Sequence, residues 1–304
     1  MKTIAILGSS GHIARGLIFE LSKSKDFILN LFDLNPDHVK KFLNDNSITS
    51  KNIKVYEIKK FIKTENNVVI NCIGAGGPKK IKELGAKIQQ ITEEFDNLII
   101  SYIQLKPSRI YINLSSGVVY GGEGPFREKS SVSLKPNALD NPYQIAKLNA
   151  ESKHRFLKDL NIVDIRIFSF FSRFVDLESG FLMTDIASAI LRKEPIETDD
   201  QDFERDFIDI EDLSQLIRIF INQRLNLAID AYSKKPISKS RLVELFAKKY
   251  NLKVKIKSSK NISPTGNKKK YYSLNKKAAS LGYKPSYSAI ESIEKEMSFI
   301  IKNK

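Results

Sequence analysis

The N-terminal twenty-one residues constrain the chain most tightly. Thr3-Ile4-Ala5-Ile6-Leu7 is a short apolar run that gives way to Gly8-Ser9-Ser10-Gly11-His12-Ile13-Ala14. A helical period follows, with Ile13, Leu17, Ile18 and Leu21 on one face. Strand, glycine turn and helix in that order are the setting in which a glycine motif carries information. Gly8 permits the tight turn, Gly11 lets backbone approach a pyrophosphate, and small Ala14 allows the helix to pack close to the strand. The helix N-terminus would offer free N–H groups to the phosphates, so Ser10, His12 and Ile13 join Gly8 and Gly11 as cofactor positions. The competing reading is a plain structural turn, and the rest of the chain has to decide between them.

Phe27–Phe32 reads as a second buried strand closed by Asp33. This carboxylate lies about 20 residues past the glycines, where it would bond a ribose 2′-hydroxyl and repel a 2′-phosphate, which favours NAD(H) over NADP(H). Its plainer use is to cap the turn at Asn35-Pro36. Strands are expected at Ile53–Ile58 and Val68–Ile73, the latter ending in Asn71 and the glycine-rich stretch from Gly74 to Gly77. Ligands sit at such C-terminal strand ends, so Asn71 and Gly74 are placed against the cofactor. Cys72 reads as a small core residue. One long helix (Lys80–Lys106), a strand at Arg109–Asn113, a loop from Gly121 to Asn141 and a strand at Ile162–Phe168 complete the alternation.

Strands alternating with helices imply a doubly wound parallel sheet, an α/β Rossmann-type domain over residues 1–170. Beyond it the pattern loosens: helices at Phe181–Leu191, Asp212–Asn222, Lys239–Tyr250 and Ala289–Lys302, with extended segments at Arg205–Ile210 and Lys253–Ile256. These suit a smaller mixed α/β substrate lobe over 171–304, with a crossover segment at about 205–230 returning to the first domain.

Composition enters mainly by exclusion. A single cysteine rules out a disulfide framework and multi-cysteine metal sites, and the three histidines lack ligand spacing. The net charge of +15 comes chiefly from dispersed lysines without an aromatic-interleaved basic motif, so nucleic acid is not the expected partner. No apolar run is long enough to span a bilayer, which makes a cytoplasmic location the expectation.

Tyr143 and Lys147 lie four residues apart on a predicted helix, hence on one side of it. A nearby ammonium would lower a phenol's pKa by favouring the phenolate. Ser116 would add a hydroxyl for a substrate oxygen. Taken alone the pair is an ordinary surface spacing.

Four motifs fall in one order: the glycine turn, Ser115-Ser116-Gly117-Val118-Val119-Tyr120-Gly121, Tyr143-x-x-x-Lys147, and Arg205-Asp206-Phe207-Ile208-Asp209-Ile210-Glu211-Asp212-Leu213. With Ser273-Leu274-Asn275-Lys276-Lys277-Ala278 and Leu281-Gly282-Tyr283-Lys284-Pro285, the chain resembles the extended short-chain dehydrogenase/reductase family, the nucleotide-sugar epimerases, dehydratases and reductases. The resemblance implies that Tyr143 is the catalytic acid/base and that Lys147 lowers its pKa and holds the nicotinamide ribose. It implies that Ser116, with Ser115 as fallback, orients the reacting oxygen, and that Arg205 meets the nucleotide diphosphate. Dehydrating members carry Asp-Glu where this chain has Gly117 and Val118. Ser169 stands where many members have a substrate-binding Asn, and Lys268, Lys269 or Lys270 would replace a missing late Arg. The leading expectation is an NADH-dependent nucleotide-sugar 4-ketoreductase of surface-polysaccharide synthesis. The alternative is a 4-epimerase, and the third a catalytically silent sensor. Relatives dimerise through two helices, here Lys80–Lys106 and Tyr143–Leu160.

Overall fold

A computed structural model describes residues 1–74, 77–134, 141–256 and 268–303, with Pro78 and Lys79 defined by main chain alone. Parts of the expected glycine loop after Asn71, of the Gly121–Asn141 loop and of the basic run at 248–260 lie outside the described residues. Seven strands form one sheet: β1 (Lys2–Leu7), β2 (Phe27–Asp33), β3 (Ile53–Glu57), β4 (Val68–Asn71), β5 (Ile110–Ser116), β6 (Asn161–Ile167) and β7 (Asn226–Asp230). Their order is β7-β6-β5-β4-β1-β2-β3, every neighbouring pair parallel.

The apolar runs read from the sequence are explained by burial on both faces. In β1, Ile4 and Ile6 face a core with Leu17, Leu213 and Ile217, while Ala5 and Leu7 face another with Ile99 and Ile103. The first side is covered by α1 (His12–Leu21), α2 (Pro36–Asp45) and α7 (Ile210–Phe220); the other by α4 (Lys87–Gln104) and α5 (Pro142–Phe156). Strand order reverses between β1 and β4, which places the crevice for a ligand at the ends of β1, β4 and β5.

Three expectations change here. The long helix breaks into α3 (Pro78–Leu84) and α4, because Gly85 takes φ +49° and its N–H returns to Ile81. The third strand stops at Glu57 and continues as a 3-10 turn, Ile58–Lys63. The extended run at 205–210 is two two-residue strands, Glu204–Arg205 and Phe207–Ile208, and α7 starts at Ile210 under an Asp209 cap that accepts from Glu211 N at 2.9 Å.

A second core joins Met183 and Ile186 of α6 (Leu182–Arg192), Phe246 of α8 (Lys239–Tyr250) and Ile293 and Met297 of α10 (Ala289–Asn303) with Phe171 and Ile237 from outside these helices; α9 (Lys277–Ser280) lies between α8 and α10 in the chain. Between them the chain returns to the sheet through α7 and β7. Gly16 makes that return possible: a Cβ there would lie 2.5 Å from Ile210 Cδ1, so only glycine lets α1 and α7 touch. No described helix is long and apolar enough to cross a membrane.

Candidate active site

At the glycine turn, Gly8 has φ +73° and an added Cβ would press on Ile73 and the Cys72 carbonyl carbon at 3.1–3.2 Å. Both the backbone angle and the space demand glycine. A Cβ on Gly11 would meet the Gly8 carbonyl oxygen at 3.1 Å, and α1 begins there without a side-chain cap. The turn thus keeps an open backbone cradle at a helix N-terminus. Asp33 serves the turn and the loop together: it accepts from Ser10 N at 2.8 Å and from Asn35 N at 3.0 Å. Each carboxylate oxygen retains a lone pair for a further donor.

The side chains of three expected cofactor residues go elsewhere. His12 Nε2 meets Ser172 Oγ at 2.9 Å beside Phe170, and burial pulls its pKa down to about 4, so it packs as a neutral ring. Ile13 packs against the sheet core. Asn71 donates to Tyr111 Oη at 3.1 Å and accepts from Ile73 N at 3.0 Å. His12 and Ile13 therefore offer main-chain groups only. The Asn71 side chain is engaged inside the protein, where β4 meets β5.

Strand parity separates the two candidate serines. Ser115 points to the α5 side and donates to Glu151 Oε1 at 2.5 Å, and Glu151 in turn receives Arg166. Ser116 points the other way, accepts from Val118 N at 3.2 Å and lies 3.3 Å from Tyr271 Oη. Burial raises the Tyr143 phenol, while its hydrogen bond with Ser116 acts in the opposite direction. Lys147 departs from expectation: its Nζ donates to the Leu114 carbonyl at 2.8 Å and lies 6.0 Å from the Tyr143 ring centre. It is not among the causes that set the phenol's pKa. Burial lowers the Lys147 ammonium, against Asp164, Asp96 and Glu151, which favour its charge. A Cβ on Gly74 would come within 3.9 Å of Lys147 Nζ, so the β4 loop and α5 meet at this lysine.

Beneath α5 lies a buried ionic network absent from the sequence reading. His154 bridges Asp96 on α4 at 2.8 Å and Asp164 on β6 at 2.9 Å. Asn113, Arg155, Tyr111 and Lys153 supply further donors to the two carboxylates. Burial would lower the imidazole, but the two carboxylates together hold it up at about 9.

Arg205 is buried, with its guanidinium 4.4 Å from the Phe203 ring centre and 5.6 Å from that of Tyr271. Among the described residues its side chain donates to the Glu204 carbonyl, and burial lowers its pKa to about 10. Lys268 Nζ sits 5.0 Å from the same Tyr271 ring, buried and with no hydrogen-bond partner among the described residues. Burial, and then Arg205, lower it to about 8. Two cations on one tyrosine with no carboxylate salt bridge among the described residues form a site for an anion. Lys269 and Lys270 are exposed. Ser169 falls in a two-residue strand beside Phe207–Ile208, just past β6.

The position after Ser116 is closed to side chains. A Cβ on Gly117 would lie 2.4 Å from the Phe168 ring, which packs against Tyr120, Phe126 and Tyr271. An acid cannot stand there unless that aromatic cluster is rebuilt. Sequence reasoning missed Tyr271, whose only signal was an aromatic following three lysines.

The model of the NAD dependent epimerase/dehydratase family matches residues 4–230. No curated protein matches the sequence. Among solved structures, the UDP-N-acetylglucosamine 4-epimerase of Methanobrevibacter ruminantium, in complex with UDP-N-acetylmuramic acid, is 17% identical with a TM-score of 0.81, covering 100% of this chain and 99% of that one. The UDP-glucuronic acid 4-epimerase of Bacillus cereus, in complex with UDP-glucuronic acid and NAD, is 16% identical at 0.78, covering 99% of each. The UDP-glucose 4-epimerase of Bifidobacterium longum, in complex with NAD+ and UDP, is 17% identical at 0.80, covering 99% and 98%.

Proposed function

The chain belongs to the NAD dependent epimerase/dehydratase family, and from that premise we propose that it is an NAD-dependent nucleotide-sugar 4-epimerase. The observation that carries the proposal is the convergence of Ser116, Tyr143 and Lys147 beside Arg205 and Lys268, two cations without a carboxylate salt bridge among the described residues. The filled space at Gly117 argues against dehydration. The 4-ketoreductase put first from sequence gains nothing from the comparisons, whereas three similar structures over nearly the whole chain are named UDP-sugar 4-epimerases, which favours the alternative.

The backbone of Gly8 to Ile13 would hold the pyrophosphate of NAD, Asp33 a ribose hydroxyl, and Gly74 with Lys147 the nicotinamide end. Bound NAD would supply the hydride acceptor and donor. As the phenolate, Tyr143 would take the proton from the sugar 4-hydroxyl and, as the phenol so formed, later return it, with Ser116 donating a hydrogen bond to the same oxygen. Lys147 spends one N–H on Leu114 and keeps two for ribose hydroxyls. Arg205 and Lys268 grip the diphosphate, which anchors the sugar while its keto form turns over. A homodimer through α4 and α5 belongs to the same proposal and is read by sedimentation.

The test offers the purified protein UDP-glucose, UDP-N-acetylglucosamine and UDP-glucuronic acid in turn, with product separation. Interconversion of one C4 pair without net cofactor consumption is expected, and Tyr143→Phe should lower it at least 10²-fold. Stoichiometric NADH oxidation by a 4-keto nucleotide sugar would make it the reductase. Nucleotide binding without turnover of any of these would make it a sensor.

A further inference from the structure

We propose that Tyr271 is a positioning residue that fixes the Ser116 hydroxyl so that its hydrogen is directed at the reacting oxygen. This inference rests on the epimerase reading and deepens it. A serine hydroxyl has two acceptor lone pairs and one hydrogen to donate. Ser116 Oγ accepts from Val118 N at 3.2 Å, which takes one lone pair. Tyr271 Oη lies 3.3 Å away and is fully buried. A buried phenol must place its hydrogen, and Ser116 is the one hydrogen-bond partner given to Tyr271 among the described residues. The phenol therefore donates and the second lone pair is filled. What remains on Ser116 is its own hydrogen, free to point toward Tyr143 and the sugar oxygen between them.

The surroundings hold the phenol in this role. Its ring is wedged against Phe168 at 5.2 Å and Phe126 at 6.4 Å, both edge-on. Its strand, Lys270–Tyr271, pairs with Glu204–Arg205, and Ser273 two residues on donates to Asp230 Oδ2 at 2.6 Å. The arm that carries Lys268 is thereby clamped to the end of β7, and its tyrosine reaches the end of β5. After burial, the hydrogen bond with Ser116 and the Arg205 charge act to lower the phenol, and Tyr143 and Asp230 act to raise it, while the Lys268 ammonium lies 5.0 Å from the ring centre. Burial raises it, so it remains a donor through the working range.

Tyr271→Phe keeps the ring and removes only the donor. On whichever sugar nucleotide of the panel turns over, kcat should fall about 5- to 30-fold with KM within twofold and the melting temperature unchanged. In a Ser116→Ala background the same change should cost nothing further, because a residue that acts through Ser116 has nothing left to orient. Additive losses, or a Tyr271→Phe enzyme equal to the parent, would overturn the inference while an inactive Tyr143→Phe left the epimerase reading standing. If Tyr143→Phe turned over like the parent, the catalytic reading itself would fail first.

Discussion

The unpaired ammonium of Lys268 makes substrate affinity depend on pH in a way that can be worked out beforehand. It is buried beside Arg205 with no hydrogen-bond partner among the described residues, and its pKa is lowered to about 8, with Glu123 the carboxylate that works against the shift. A lysine in this position either gives up its proton or gains an anion. With a pKa of about 8, its protonated share falls from roughly nine-tenths at pH 7 to roughly one-tenth at pH 9. If only the charged form grips the diphosphate, the Kd for UDP-glucose should rise about tenfold over that interval and stay level below pH 7. At pH 8 binding should draw about half a proton from solution, seen by titration calorimetry in two buffers of different ionisation enthalpy. Lys268→Gln should weaken binding roughly tenfold to a hundredfold at pH 7, the worth of a charge-assisted hydrogen bond, and should flatten the profile. A level Kd in the parent protein, or the same slope in Lys268→Gln, would refute the reasoning.

Asp33→Ala should relax the preference for NAD over NADP by about tenfold or more in binding titrations; an unchanged ratio would leave Asp33 as a turn cap alone. His154 is held at about 9 in the fold against about 6.5 unfolded, so its contribution is complete below pH 6.5 and disappears as pH rises through 9. Urea midpoints at pH 6, 8 and 10 should show a loss of roughly 3 kcal/mol that His154→Gln does not show, since the glutamine variant starts destabilised and stays level. Gly117→Ala should cost about 1–3 kcal/mol in the same assay because the new methyl must displace the Phe168 ring. No change in the midpoint would mean that the aromatic cluster is loose.

The parallel sheet was readable because its strands are buried on both faces and must therefore be apolar runs, as β1 and β2 are. The seventh strand was not, because Asn226–Asp230 is short, lies at the sheet edge, and is half exposed over its first three residues. A strand of that kind carries little periodic signal. The break between α3 and α4 was hidden for a different reason. Gly85 sits among good helix formers, and a glycine within a helical pattern does not announce whether it will adopt a left-handed angle. In the site, adjacent serines at 115 and 116 are interchangeable in a motif, but the pleat sends one to Glu151 and the other to Tyr271. Three consecutive lysines at 268–270 are likewise equivalent until the fold half-buries the first and leaves the other two exposed.

The segment from Arg205 to Leu213 shows why a recognisable motif need not be a list of contacts with substrate. Of its charged residues, only Arg205 stands beside Lys268 and Tyr271. Asp206 accepts from Ser233 N, Asp209 caps α7 and binds Lys295 at 2.8 Å, and Asp212 accepts from Ser286 and Tyr287 N. These acids tie the segment to β7, to α10 and to the turn before α10. A buried guanidinium without a carboxylate costs stability and would swing toward the nearest acid if its backbone were free. The neighbouring aspartates limit that freedom: Asp206 and Asp212 are engaged by backbone N–H groups, and Asp209 through Oδ1 by Glu211 N and the Lys295 ammonium. The motif therefore sets Arg205, the residue proposed to hold the diphosphate, among acids that are engaged elsewhere. Its acids should be sensitive to substitution through stability, and Arg205 through affinity.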